Sequence, residues 1–337
     1  MREFIVQKND ANQRLDRWLS KTVPLLPPPL AQKYIRIKRV KLNGKGAARD
    51  ARLQLGDVLQ LYINDEFFDA PTPENAFLSI LKPQLDIVYE DENLLLVNKR
   101  PGLVVHPDET ERVNTLITHI QAYLYLKKEW SPYVEHSFAP ALCNRIDRNT
   151  GGIVISAKNA ETLRIINEKI RDREIEKYYL CIIYGQIKPS TGRLEGYLLK
   201  DEVKKQVSVH KHPVPGGRTA VTDYRTLAKE GDLSLVECLL HTGRTHQIRA
   251  QFSAAGHPLL GDGKYGRERD NRRFGRSYQA LYSYRLRFSF QSDAGALSYL
   301  NGKSFSVDQV DFVKEFFPHY DNKIQNLTTP FPKEKFD

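Results

Sequence analysis

The spacing of apolar residues changes along the chain, and each change predicts an element. In RLDRWLSKT (14–22), Leu15, Trp18 and Leu19 share one face of a predicted helix. The next stretch, PLLPPPLAQKYIRIKRV, predicts a second helix after prolines, which are tolerated at helix starts. Its apolar stripe is Leu30, Tyr34 and Ile37, with Lys33, Arg36, Lys38 and Arg39 largely off it. RVKLNGKG predicts a short strand entering a turn, and LQLGDVLQLYI a strand after Gly56-Asp57. A mixed-charge, proline-containing stretch over 65–84 reads as a linker. Beyond it, LDIVYEDENLLLVNKRPGL predicts two strands around an acidic turn. IVISAK (153–158) predicts a strand, then a helix with Leu163, Ile166 and Ile170 as its core stripe. KYYLCIIYGQI predicts another buried strand. In YSYRLRFSF (282–290), Tyr282, Tyr284, Leu286, Phe288 and Phe290 alternate with Ser and Arg, the pattern of a half-buried strand. The expected class is α+β with mixed, mainly antiparallel sheets, organised as a basic module (1–64), a linker (65–84), a main domain (85–318) and a polar, poorly ordered tail (319–337).

Composition narrows the class of protein. Hydrophobic residues make up 40% of the 337 and charged residues 27%, as in a soluble globular chain. No apolar run approaches the ~20 residues that cross a bilayer, and MREFIVQKNDANQRLD lacks the apolar stretch of a secretory signal. Cys143, Cys181 and Cys238 are widely spaced without a CxxC pair, which suggests free thiols in a reducing cytoplasm. The net charge of +10 is concentrated: residues 1–64 hold 13 Lys or Arg against 5 Asp or Glu. That imbalance suggests a footprint for a polyanion, either nucleic acid or an anionic membrane; a merely solvated basic face is the plainer alternative.

Three segments carry candidate chemistry. In CNRIDRNTGGIVISAKNAE (143–161), Asp147 lies between Arg145 and Arg148, which are expected to favour its ionised form. Gly151 and Gly152 follow directly, letting the backbone turn tightly. A surface loop with a local ion pair would look the same. In HTGRTHQIRAQFSAAGHPLLGDGKYG (241–266), a helix from Thr245 places His246 and Arg249 on one face at i, i+3 and buries Ile248, Phe252 and Ala255. Its N-terminus, behind Gly243 and Arg244, is a candidate phosphate site. A satisfied structural histidine is the plainer reading of His246, and Asp262 reads as a backbone-orienting residue. In the third segment, strand alternation sends one of Tyr178 and Tyr179 into the core and the other out.

Together and in order, these segments resemble the RluA-type pseudouridine synthases. The family's HRLDxxTSG is similar to NRIDRNTGG, its KxYxAxVxG to the run from Lys177 to Gly185, and its GRTHQIR and GHPLLGDxxYG to the third motif pair. YEDENLLLVNKRPGLVVHP resembles the family's opening motif. Residues 14–64 resemble the alpha-L RNA-binding motif shared with a ribosomal small-subunit protein and tyrosyl-tRNA synthetase. The departures are Asn144 for a histidine, Gly151 for a serine, Arg100 in the NKPxG motif, and prolines 27–29 where a serine commonly opens the second helix.

The resemblance implies an isomerase of RNA uridines that needs no cofactor and no metal. Asp147 would be the catalytic carboxylate, attacking the sugar or removing a neighbouring proton. Arg249 would hold it through a bidentate ion pair. Tyr179 would stack on the uracil and act as base. Arg145 would fill the space the flipped base leaves. Arg148, Arg244, His246 and the basic helix residues Lys33, Arg36, Lys38 and Arg39 would contact RNA. Large-subunit ribosomal RNA is the first expectation, transfer RNA the alternative, with no membrane and no obligate protein partner. The rivals are a catalytically silent RNA-binding factor and a carboxylate glycosidase; the second usually needs a second acid, and none is motif-linked to Asp147.

Overall fold

The computed structural model describes all residues except 24, 25, 27, 69–75, 78, 79, 81, 202, 267, 321–326, 328–330 and 332–337. The N-terminal unit is built from β1 (Arg2–Ile5), α1 (Leu15–Thr22), α2 (Pro28–Arg36), β2 (Val40–Leu42), β3 (Lys45–Gly46) and β4 (Val58–Leu61). Its sheet runs β1-β4-β2-β3, and Leu15, Trp18, Leu19, Tyr34 and Ile35 help close a small core of their own. β1, which the apolar pattern did not announce, pairs with β4. The predicted α2 stripe fails at Ile37, which is 48% exposed while Ile35 is buried. The helix stops at Arg36 because Lys38 enters the left-handed region (φ 60°). Lys38 N–H then bonds to Ile35 O and Arg39 N–H to Tyr34 O, a Schellman closure without its usual glycine.

The main unit follows: β5 (Ile87–Glu90), β6 (Leu94–Lys99), α3 (Leu116–Leu126), β7 (Ala141–Leu142), β8 (Gly151–Ala157), α4 (Ala160–Arg171), β9 (Ile175–Tyr184), β10 (Thr191–Asp201), β11 (Gln206–His210), β12 (Arg218–Glu230), β13 (Leu233–Leu240), α5 (Gln247–Ala254), α6 (Glu268–Arg273), β14 (Leu281–Phe288), β15 (Ser304–Ser306) and α7 (Asp311–Phe316). Among the described residues its strands form one sheet in the order β11-β10-β12-β13-β9-β14-β8-β6-β5, with β15 on β14 and β7 on β8. Every pairing is antiparallel except β14 with β8, so the mixed, mainly antiparallel α+β class expected from the sequence is the one observed.

β9 is central and covered on both faces. Tyr178, Leu180 and Ile182 enter a core under α4, α7 and the turn at Gly295–Leu300. Tyr179, Cys181 and Ile183 enter a second core under α3 and α5. Both tyrosines are therefore buried, at 4% and 7% exposure, so the expectation that one points out is wrong. Alternation separates faces, and only a one-sided sheet turns that into inside and outside. β14 departs from the half-buried expectation for the same reason: Ser283, off its aromatic stripe, is also buried.

Two segments read as peripheral are anchored. Phe77, within 65–84, packs edge-on against Tyr125 and Trp130. Phe331, in the tail, is buried beside Tyr178, and Leu327 O accepts from Arg285; the remaining tail beyond Tyr320 lies outside the described residues. The two units meet where Asp10 accepts from Ser137, Gln13 donates to Ser137, Asn9 donates to Glu135, and Phe4 packs on His136. Asn9 Oδ1 also accepts from Ala160 N–H at the start of α4.

Candidate active site

The loop between β7 and β8 carries Asp147, and buried polar contacts fix its shape. Lys99, 1% exposed, donates to the carbonyls of Arg100, Leu103 and Arg148. Burial pushes its ammonium down to about 7, and the nearby Asp147 charge opposes that shift. Asn144 Oδ1 accepts from Ile155 N–H, tying the start of the loop to β8. At its end Thr150 accepts from Gln279. Gly151 is required here because a Cβ would come within 2.3 Å of the Tyr282 ring. Tyr282 thus occupies the room a serine side chain would need. At Gly152 (φ +116°) a Cβ would meet the Ser283 backbone at 2.2 Å.

The cation on Asp147 comes from α5, not from the flanking arginines. Arg249 Nη1 donates to Asp147 Oδ2 at 2.7 Å. Its other edge is engaged in a bidentate pair with Asp262: Nε to Oδ2 at 2.7 Å and Nη2 to Oδ1 at 2.9 Å. The expected bidentate pair is thus with Asp262, and Asp147 receives a single bond. Asp262, fully buried, takes the Nε/Nη2 edge of the guanidinium, and Nη1 alone reaches Asp147. Asp262 Oδ1 also accepts from the Lys264 and Tyr265 amides, so it does orient backbone, but its place beneath Arg249 was missed. Arg148 turns away to Asp108 and Thr110, and Arg145 is exposed at the mouth of the cavity.

α5 begins at Gln247, two residues later than expected, because His246 caps it in the left-handed region (φ 53°). His246 Nδ1 meets the Tyr265 hydroxyl at 2.9 Å and Nε2 lies 3.8 Å from Asp147 Oδ2. Burial lowers its pKa, with the Asp147 charge opposing. Just before this helix, Gln247 Oε1 accepts from Arg244 N–H and the Thr242 hydroxyl. Ala255, expected in the core, is exposed, because the helix ends at Ala254 and closes on Gly256. Arg244 lies on the rim, its Nε donating to Thr219 O.

Tyr179 forms a wall of the same cavity, which has a volume of about 530 Å³ and is lined also by Arg145, Asp147, Arg244, His246 and Arg249. Burial, aided by the Asp147 charge, pushes its phenol up to about 12, while a hydrogen bond with Ser283 pulls the other way. Lys33, Arg36, Lys38 and Arg39 lie elsewhere, exposed on the N-terminal unit.

Comparison with known proteins identifies the family. A model of the RNA pseudouridylate synthase family matches residues 93–254, which include Asp147, Tyr179 and Arg249. An RNA pseudouridine synthase of Mycoplasma genitalium is 31% identical over 85% of this chain and 88% of the relative. The chain belongs to the RNA pseudouridine synthases. Members of this RluA-type family isomerise uridine in RNA to pseudouridine. The ribosomal large subunit pseudouridine synthase D of Borreliella burgdorferi is 31% identical over 79% of each chain. The solved structure of "Human RNA Pseudouridylate Synthase Domain Containing 1" shares the fold, with a TM-score of 0.51 at 22% identity over 74% of this synthase and 98% of that chain. No helix among the described residues of this synthase is long and apolar enough to cross a membrane.

Proposed function

We propose that this synthase acts on large-subunit ribosomal RNA and that the cavity between the Asp147 loop, β9 and α5 is where a flipped uridine reacts. The observation that carries the proposal is a partly exposed carboxylate held by a single bond from a guanidinium whose Nε/Nη2 edge is engaged by Asp262. Arg249 therefore orients Asp147 while leaving its second oxygen free to react. Asp147 either attacks the sugar or removes a neighbouring proton. Both routes consume its negative charge, and with it one of the two causes that hold the Tyr179 phenol so far from ionising. Tyr179 then becomes a better proton carrier late in the reaction, when carbon must lose its proton. Arg145, exposed at the cavity, would fill the gap in the RNA stack.

The N-terminal unit would grip RNA through Lys33, Arg36, Lys38 and Arg39, in the manner of the alpha-L motif, ahead of a linker over 65–84 and a catalytic domain over 85–318. We place the work of the enzyme in the cytoplasm, where its three free thiols stay reduced. Mapping pseudouridines in RNA from cells with the wild-type chain, Asp147→Asn, or no chain tests the assignment. Sites in large-subunit RNA that vanish with Asp147→Asn are expected. Sites confined to transfer RNA would replace the substrate, and sites that persist with Asp147→Asn would remove Asp147 from the chemistry.

A further inference from the structure

The same cavity holds a group of cations that the chemistry at Asp147 does not use. Its described lining includes Arg145, Arg171, Arg173, Lys177, Arg244 and Arg249, against the carboxylate of Asp147 alone. Arg249 is neutralised by Asp147 and Asp262, and Arg171 pairs with Asp172. Lys177 differs from the others. It sits on β9 two residues before Tyr179, hence on the same face of the strand and about 7 Å along it. It lies half-buried, with its Nζ 3.9 Å from where a Cβ on Gly243 would stand. No ion pair or hydrogen bond engages that Nζ among the described residues.

Rim and floor are built to present charge at this end. α4 closes in a Schellman motif, with Arg173 N–H bonded to Ile170 O and Glu174 N–H to Lys169 O. Arg173 takes the left-handed position (φ 61°) and is exposed on the cavity edge. The buried Lys169–Glu174 pair fixes that turn from below. The cavity thus has a reacting end, at Asp147 and Tyr179, and a cationic end displaced from it along β9.

We propose that Lys177, with Arg173 at the rim, seats a phosphate of the flipped uridine nucleotide. The proposal rests on the reading of this cavity as the uridine site. A uracil against Tyr179 puts its nucleotide's phosphates within reach of the strand position two residues away, where the unpartnered ammonium stands. Burial lowers the Lys177 pKa, and a phosphodiester anion beside it would restore the charge, so the seat is strongest when filled. Its role is positioning: it fixes how far the nucleotide enters, and thereby where the sugar stops relative to Asp147.

Titrating the full-length protein with uridine, uridine 5′-monophosphate and uridine 3′-monophosphate tests the seat by binding alone. At least one monophosphate is expected to bind about tenfold or more tightly than uridine, as a charge-assisted contact implies. Lys177→Met should cut that advantage to within about threefold while uridine still binds, and Lys177→Arg should keep most of it. Equal binding of all three ligands to the wild-type protein would overturn the proposal, as would an advantage that survives Lys177→Met. Should Lys177→Met fail to fold, Arg173→Gln decides: it lies on an exposed turn, and an undiminished advantage in that variant overturns the seat. A wild-type chain that forms no pseudouridine in any RNA would refute the proposed function yet leave these titrations readable, because they need no turnover.

Discussion

Replacing Asp262 with asparagine tests whether Arg249 is held from beneath. The carboxylate is fully buried and accepts four bonds: Oδ1 from Arg249 Nη2 and the Lys264 and Tyr265 amides, Oδ2 from Arg249 Nε alone. An asparagine keeps most of them by leaving its oxygen at the Oδ1 position. Its amide nitrogen then faces the Nε–H of Arg249, donor against donor, in a fully buried site. Removing one partner of a buried ion pair costs about 3–5 kcal/mol. Arg249 retains its bond to Asp147, so the lower end, about 3 kcal/mol, is expected. Denaturant titration reads this directly as a lower midpoint at unchanged slope. Turnover should fall by roughly 100-fold, the scale of a reacting group displaced by about 1 Å, because the repelled Nε shifts the guanidinium and with it the Nη1 bond that orients Asp147. Single-turnover assays on the natural RNA with Asp262→Asn, Arg249→Met and the double variant complete the cycle, and the double variant should lose little beyond Arg249→Met. A stability loss below about 1 kcal/mol together with turnover within threefold of wild type would refute a supporting role for Asp262.

Tyr179→Phe should preserve RNA binding and stability within about 1 kcal/mol yet fail to complete isomerisation, since the ring remains and the hydroxyl is gone; full pseudouridine yield by mass spectrometry would assign the final proton transfer elsewhere. Changing Lys33, Arg36, Lys38 and Arg39 together to glutamine should lower the slope of log affinity against log salt by about 2–3 if three of them contact phosphates and by about 3–4 if all four do, at roughly 0.7–0.9 per contact. An unchanged slope would remove that face from RNA binding. Glu135, at the contact between the two units, has a carboxyl raised to about 7 by burial, with the neighbouring Asp10 adding to the shift and Asn9 opposing it. A raised carboxyl favours the folded contact below its ordinary value of 4.5, and that gain is lost as pH climbs from there to about 7. Hydrogen-exchange protection at residues 9–13 and 131–138, taken relative to the intrinsic rate at each pH, should therefore fall over that window in the wild-type protein and stay constant in Glu135→Gln; parallel behaviour of the two would show that Glu135 does not control the contact.

Much of this molecule is written in local spacing. The continuous apolar run of β9, the period-two run of β14, the stripe of α1, and the turn glycines before β8 depend on neighbours in sequence, and a single chain displays them. The cavity's principal members were legible for the same reason: Asp147, Tyr179 and Arg249 each sit in a short motif whose order the family shares. What the sequence by itself could not determine was partnership. The residues around Asp147 point to its two flanking arginines, and only the family resemblance named Arg249, 102 positions away, as its partner; that the pair is a single bond, with those neighbours turned outward, is decided by the fold. Asp262 read as a turn residue, and only the packing of α5 against the following loop brings it under Arg249. Tyr178 and Tyr179 are both buried because elements of the fold cover both faces of the sheet, which alternation alone does not reveal. Alternation, propensity and motif order are properties of contiguous residues; which side chain meets which charge, and which face meets water, is decided when distant segments compete for the same space.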